Sequence, residues 1–168
     1  MVAATRGSPP AAHQSPDESV KDALQQALDE ARMVLPGVQA LFGFQLIAVF
    51  NEGFARDLSE AEQMIHLAAI VLVAIAIALL MTPAAYHRQV EPRRASASFV
   101  RLASRLISGA MMPLALGLAL DLHLVGRLVS GSPTVAATIA GIVFLLFVGL
   151  WFAFPQWRSA QLQRRRRA

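Results

Sequence analysis

A few polar side chains interrupt the long apolar runs of this sequence, and each is a candidate for chemistry. Gln39 and Gln45 lie in VLPGVQALFGFQLIAVF, His66 opens MIHLAAIVLVAIAIALLMTPAAY, and Asp121 and His123 lie in LISGAMMPLALGLALDLHLVG. Polar groups in such runs are costly and are functional candidates by default. Asp121 ends a stripe in which Gly109, Pro113, Gly117 and Asp121 recur every four residues. The plainer role for that stripe is close packing of a neighbouring helix. The sharper role is a hydrated crevice with Asp121 as a proton or cation site, as in a small transporter or channel subunit. Ala137 and Gly141 give the fourth apolar run a similar small-residue face. His66 and His123, with Asp121 and Glu62 nearby, invite a haem or metal reading. No ligand pair recurs at i and i+4 on one helix, which argues against it. Gln39 and Gln45 are six residues apart, about 120° round a helix. At least one of them is expected to bond a neighbouring helix.

Other chemistries are excluded or weak. The chain contains no cysteine, so disulfides, thiol catalysis and thiolate metal sites are excluded. It has no Gly-rich phosphate loop, nucleophile elbow or paired carboxylates within an apolar run. RRASAS at 93–98 fits a basophilic phosphorylation pattern, but a solvated connection explains it as well. The run Arg164 to Arg167 suits anionic lipid headgroups better than nucleic acid, which so short a tail would bind weakly. No catalytic residue and no cofactor is expected.

These residues must be positioned by membrane-spanning helices. The 168-residue chain is 55% hydrophobic, against about 45–50% for soluble domains. The excess falls in four runs, at about 34–50, 64–86, 106–126 and 134–154. Crossing the hydrocarbon takes about 20 apolar residues. Lys and Arg then set the orientation. Three precede the first run, five lie between the second and third, and five follow the fourth. The other two connections hold one each, Arg56 and Arg127. Thirteen against two places both termini on the cytoplasmic side.

The connections carry starts and stops. Residues 1–15 lack an apolar core and read as a disordered tail rather than a signal peptide. Ser15-Pro16-Asp17-Glu18 is a helix start, followed by Val20, Leu24, Ala27, Ala31 and Val34 at helical spacing. This predicts an amphipathic cytoplasmic lead-in helix. Ser59 and Glu62 form a second capping box. Arg94, Arg101 and Arg105 share one side of the helix entering the third run, suited to anionic headgroups. Residues 16–157 read as the transmembrane domain and 158–168 as a basic cytoplasmic tail.

Topology places LDEARMVLPGVQ and TPAAYHR at the same membrane depth. Pro83 then lies near a helix end, Tyr86 suits the headgroup level, and Arg88 comes within reach of Asp29 or Glu30. These two stretches also carry a resemblance. Asp29-Glu30, Arg32, Leu35-Pro36-Gly37, Gln39, Phe44 and Pro83-Ala84-Ala85-Tyr86-His87-Arg88 resemble the bacterial four-span membrane family catalogued as domain of unknown function 6328. The likeness covers roughly 28–157, including the closing WFAFP. It implies four helices and a bacterial inner membrane, and no activity.

The expected fold is all-α: an antiparallel bundle of four transmembrane helices with the lead-in helix. The first functional expectation is a non-enzymatic membrane protein. Its inner-face residues Glu30, Arg32, Pro36, Gly37, Gln39, Gln45, Pro83, Tyr86, His87 and Arg88 would dock a membrane partner or a second copy. A reporter that is active only in the cytoplasm, fused after Ala168, is expected to be active. Activity of an export-dependent reporter at that position would reverse the assigned orientation.

Overall fold

The computed structural model describes residues 16–90 and 96–167. They form α1 (Pro16–Val49), α2 (Glu52–Asp57), α3 (Glu60–Val90), α4 (Ala97–Ser130), α5 (Pro133–Val148), a π-helical turn (Gly149–Ala153) and α6 (Phe154–Arg167). No strand occurs among the described residues. Four stretches are long and apolar enough to cross a membrane: Asp22–Val49, Glu60–Val90, Ala97–Ser130 and Pro133–Arg165. The protein is an all-α, multi-pass membrane protein. Each expected span falls inside one stretch, apart from Phe50 just past the end of α1.

Two junctions run through as continuous helix. Lead-in helix and first span form one unbroken helix of 34 residues, with Pro36 inside it. The basic segment from Arg158 is helical, as part of α6. The expected disordered tail at 1–15, the Ser15 cap, and Arg93 and Arg94 lie outside the described residues.

Local chemistry sets the helix starts. The backbone N–H of Ser59 donates to Glu62 Oε2 at 2.9 Å, as the capping box requires. Ser96 caps α4 by accepting from Phe99 N at 3.2 Å. Ser132 accepts from Val135 N, and Pro133 occupies the first turn of α5. Gly131 ends α4 in the left-handed region, at φ 67°, where a side chain would be strained.

Successive long helices run antiparallel, as the contacts of Gln45 with His66, Tyr86 with Phe99 and Gly126 with Ala136 require. α4 packs against α1, α3 and α5, and α1 also packs on α3. The core is made of small and medium side chains: Ala31 and Val38 of α1, Val73, Ala76 and Leu80 of α3, and Ile107, Ala110 and Leu114 of α4. Large apolar side chains point outward, with Leu145 69% and Ile47 66% exposed. In water that surface would be a liability; in a bilayer it meets lipid.

The α3–α4 seam is tight at Gly117. A Cβ on Gly117 would lie 3.1 Å from Val73 Cγ2 and 3.2 Å from the Ala69 carbonyl oxygen. Gly109, two repeats earlier in the stripe, would meet nothing within 4 Å. A four-residue repeat overshoots the 3.6-residue turn by about 40° each time, so the stripe winds off the seam. The small face of α5 is also displaced from the expected one. Ala136 and Ala140 are buried, and Gly126 of α4 stands against Ala136. Ala137 is exposed and Gly141 faces open space. One residue is about 100° of helix, enough to turn the expected face to lipid.

Gly117→Val is expected to cost about 1–3 kcal/mol by overpacking, read as a lower thermal unfolding midpoint in detergent. Gly109→Val is expected to leave the midpoint unchanged. Equal effects of the two would contradict the seam.

Candidate functional site

Three polar side chains from three helices meet near the end of the bundle that carries the α1–α3 connection. Gln45 lies in the last turns of α1, His66 in the second turn of α3, and Asp121 in the final third of α4. Gln45 and His66 are buried, at 4% and 7% exposure. Gln45 Nε2 donates to Asp121 Oδ2 at 2.6 Å. His66 Nδ1 lies 3.3 Å from Asp121 Oδ1. His66 Nε2 lies 3.0 Å from the backbone oxygen of Gln45.

These contacts suit one proton count. A backbone carbonyl only accepts, so His66 Nε2 carries a hydrogen. A neutral ring with its hydrogen on Nε2 has only a lone pair on Nδ1. Facing a carboxylate, that lone pair would repel. The Nδ1–Oδ1 approach of 3.3 Å would become a hydrogen bond with one further proton between the two atoms. Imidazolium beside carboxylate meets the requirement, and so does neutral imidazole beside carboxylic acid. In either form the pair has no net charge and holds one exchangeable proton.

Two acceptors of the cluster are left over: Asp121 Oδ1 faces His66 Nδ1 without a formed hydrogen bond, and Gln45 Oε1 has no partner at all. The Gln45 amide turns its NH₂ toward Asp121, and its Oε1 is buried without a hydrogen-bond partner. A buried acceptor in that state costs about 1–3 kcal/mol. The site opens on a groove of about 440 Å³ walled mainly by apolar side chains, including Leu41, Phe44, Phe54, Leu124 and Leu128. Asn51 caps α2 by accepting from Gly53 N at 2.9 Å, and α2 then carries Phe54 to His66. The two rings lie 5.2 Å apart and tilted by 60°.

A charged strap closes the same end. Arg127, from the last turn of α4, pairs with Glu62 through both its Nε and its Nη2, the latter 2.6 Å from Oε2. The same Nη2 donates to the Asp57 carbonyl at 3.1 Å. The capping glutamate thus does two jobs, starting α3 and tying it to α4. Beside the strap, Arg56 Nε donates to Asp57 Oδ1 at 2.8 Å. That hydrogen bond holds the Asp57 carboxyl below the ordinary carboxylate range and raises Arg56.

Other sequence candidates fall elsewhere. His123 is half-buried and outside the cluster, two residues from Asp121 and so about 160° round α4. No group of three His, Asp or Glu able to hold a metal converges among the described residues. The pairing of His66 with His123 is thereby corrected to His66 with Asp121. Gln39 is exposed, as are Pro36 and Gly37. Arg32 pairs on the surface with Asp29 at 3.5 Å. Glu30 lines a separate cleft with Ser104, Ser108 and Trp151. Arg88 is exposed and makes no ion pair among the described residues, so its expected contact with Asp29 or Glu30 does not form. Pro83 is fully buried. Tyr86 and His87 stack on Phe99 at 5.2 and 5.6 Å, within the α3–α4 contact. Sequence reasoning missed the Glu62–Arg127 strap and Phe54. The lone arginine of the third connection and the acid of the second capping box were the available signal.

The model of a family described as "Family of unknown function (DUF6328)" matches residues 13–155. No curated protein and no solved structure matches.

Arg127→Ala and Glu62→Ala are expected to be non-additive. Their double-mutant cycle gives a coupling of about 0.5–3 kcal/mol in unfolding. Additive losses would show that the strap contributes nothing to holding the end closed.

Proposed function

The chain belongs to the family of unknown function DUF6328, and we propose that it is a small proton-linked membrane transport protein working through Asp121, His66 and Gln45. The observation that carries this reading is the approach of His66 Nδ1 to Asp121 Oδ1 at 3.3 Å, which one shared proton would close, set among helices long and apolar enough to cross a membrane. Ionisable groups at such positions mark proton relays and ion pathways. Here the proton is shared by groups on two different helices, α3 and α4, and α1 supplies both a donor and an acceptor. Gaining or losing it changes the contacts that hold three helices together.

Loss of that proton leaves a neutral ring beside a carboxylate, with net charge −1. That state attracts a cation. Exchange of one proton for one monovalent cation keeps the site electrically balanced, which is the chemistry of an exchanger. The first span offers glutamine where an acid would be expected of such a protein; the acid is supplied by α4 instead. This reading displaces inner-face docking, because the Glu30–Arg88 contact that was to organise that face does not form.

The orientation belongs to the same proposal. With thirteen of the fifteen Lys and Arg residues on one side, that side is the cytoplasmic side of a bacterial inner membrane. The Asp121 site and its groove then lie toward the outside.

In vesicles under an imposed pH gradient, with sodium and potassium present, the protein is expected to carry protons faster than empty vesicles. Asp121→Asn is expected to abolish the excess, and His66→Leu to reduce it strongly. An excess that survives Asp121→Asn would remove the site from the function.

A further inference from the structure

The groove beside Asp121 has a chemistry more specific than a generic cation site. Resting on the proton-linked reading above, we propose that its ligand is a hydrophobic primary ammonium ion, a single –NH₃⁺ on an alkyl or aryl body. Once the shared proton has left, three acceptors remain in the cluster. They are Asp121 Oδ1, the lone pair of His66 Nδ1, and the partnerless Oε1 of Gln45. A primary ammonium has three N–H donors and one positive charge. It satisfies all three acceptors and restores the neutrality that the proton provided.

A bare alkali cation would replace the charge but leave the apolar walls unused. Those walls are Leu41, Phe44, Ala48, Phe54, Leu124 and Leu128. A volume of about 440 Å³ falls in the range of small-molecule pockets, about 300–1,000 Å³. The tilted Phe54 ring beside His66 presents an aromatic surface next to the place where the charge sits, a setting that favours cations. Asp57 also lines the groove, and adds negative charge near its mouth, tempered by its bond to Arg56. Binding is written with its proton balance. The ammonium enters with its charge, the N–H or O–H bond that held the shared proton of Asp121 and His66 breaks as that proton passes to water, and no bond between heavy atoms changes.

Three probes of one shape test this on the purified full-length protein: benzylammonium, benzyltrimethylammonium and benzyl alcohol. Calorimetry in buffers of different ionisation heat reads affinity and proton release together. Benzylammonium is expected to bind saturably, one per chain, with release of up to one proton. Benzyltrimethylammonium, which has charge but no N–H donor, is expected to bind about tenfold more weakly. Benzyl alcohol is expected to show only the partitioning seen with empty micelles. Asp121→Asn is expected to weaken benzylammonium about tenfold or more. Phe44→Ala, at a side chain 71% exposed and outside the packed core, is expected to weaken it about threefold.

Equal binding of the alcohol and the amine would overturn the proposal. So would full-strength benzylammonium binding by an Asp121→Asn protein that elutes and melts like the parent. If benzylammonium does not bind while vesicle proton flux still depends on Asp121, the ligand class is wrong and the proton site stands. If flux and binding are both indifferent to Asp121, the two fall together.

Discussion

The contact of Gly117 with Ala69 and Val73 sets the register on which the rest of the molecule depends. Lipid gives helices no hydrophobic reason to associate, so close backbone approach and dispersion must do it. The buried positions of α3 and α4 answer that need with Ala69, Val73, Ala76, Ala103, Ala110, Ala115 and Ala119. Once Gly117 is seated on Ala69, two other residues have little freedom. His66 lies one turn before Ala69 and Asp121 one turn after Gly117, so the seam delivers them to each other. Packing at the middle of the bundle thereby decides the chemistry at its end.

The polar cluster is costly for the same reason that it is useful. Buried hydrogen-bonding groups without partners are unfavourable, and more so where water is absent. Three of the four contacts a designer would want are present: Gln45 to Asp121, His66 to Asp121, and His66 to the α1 backbone. The fourth is missing, and Gln45 Oε1 stays unsatisfied. A bundle meant only to be stable would replace this set with leucine and alanine. Meanwhile the strap from Arg127 to Glu62 and Asp57 fixes the connection above the cluster, so that α2 holds Phe54 in place as a wall.

Much of this was legible in the sequence. The four apolar runs, the capping box at Ser59 and Glu62, and the expectation that one glutamine would bond across helices all follow from local pattern. What could not be read was register. Gln45 and Asp121 are 76 residues apart, and nothing in the spacing within one helix says which turn of another it will face. The same limit explains His123, whose depth matches His66 but whose side of α4 does not. It also explains the face of α5, where Ala136 and Ala140 rather than Ala137 and Gly141 meet α4. Periodicity identifies a stripe to within a residue or so, and in a helix one residue is the difference between a neighbour and the lipid. The continuity of α1 through Pro36 was hidden for another reason, since the change from polar to apolar composition at that point resembles a boundary.

The π-helical turn at Gly149–Ala153 sits just before Pro155, where the Trp151 carbonyl has no α-helical N–H to accept from. Phe154 N reaches back to Gly149 instead, so the turn takes up one residue more than an α-helix would. Within it Trp151 stacks on Phe147 at 4.7 Å and packs against the core. The insertion works as a phase shifter. Everything beyond it, including Arg158, Arg164 and Arg165, is dialled round the axis by about 100° relative to an uninterrupted helix. The azimuth at which this cationic segment leaves the bundle is thus written into a single surplus residue, upstream of Arg158.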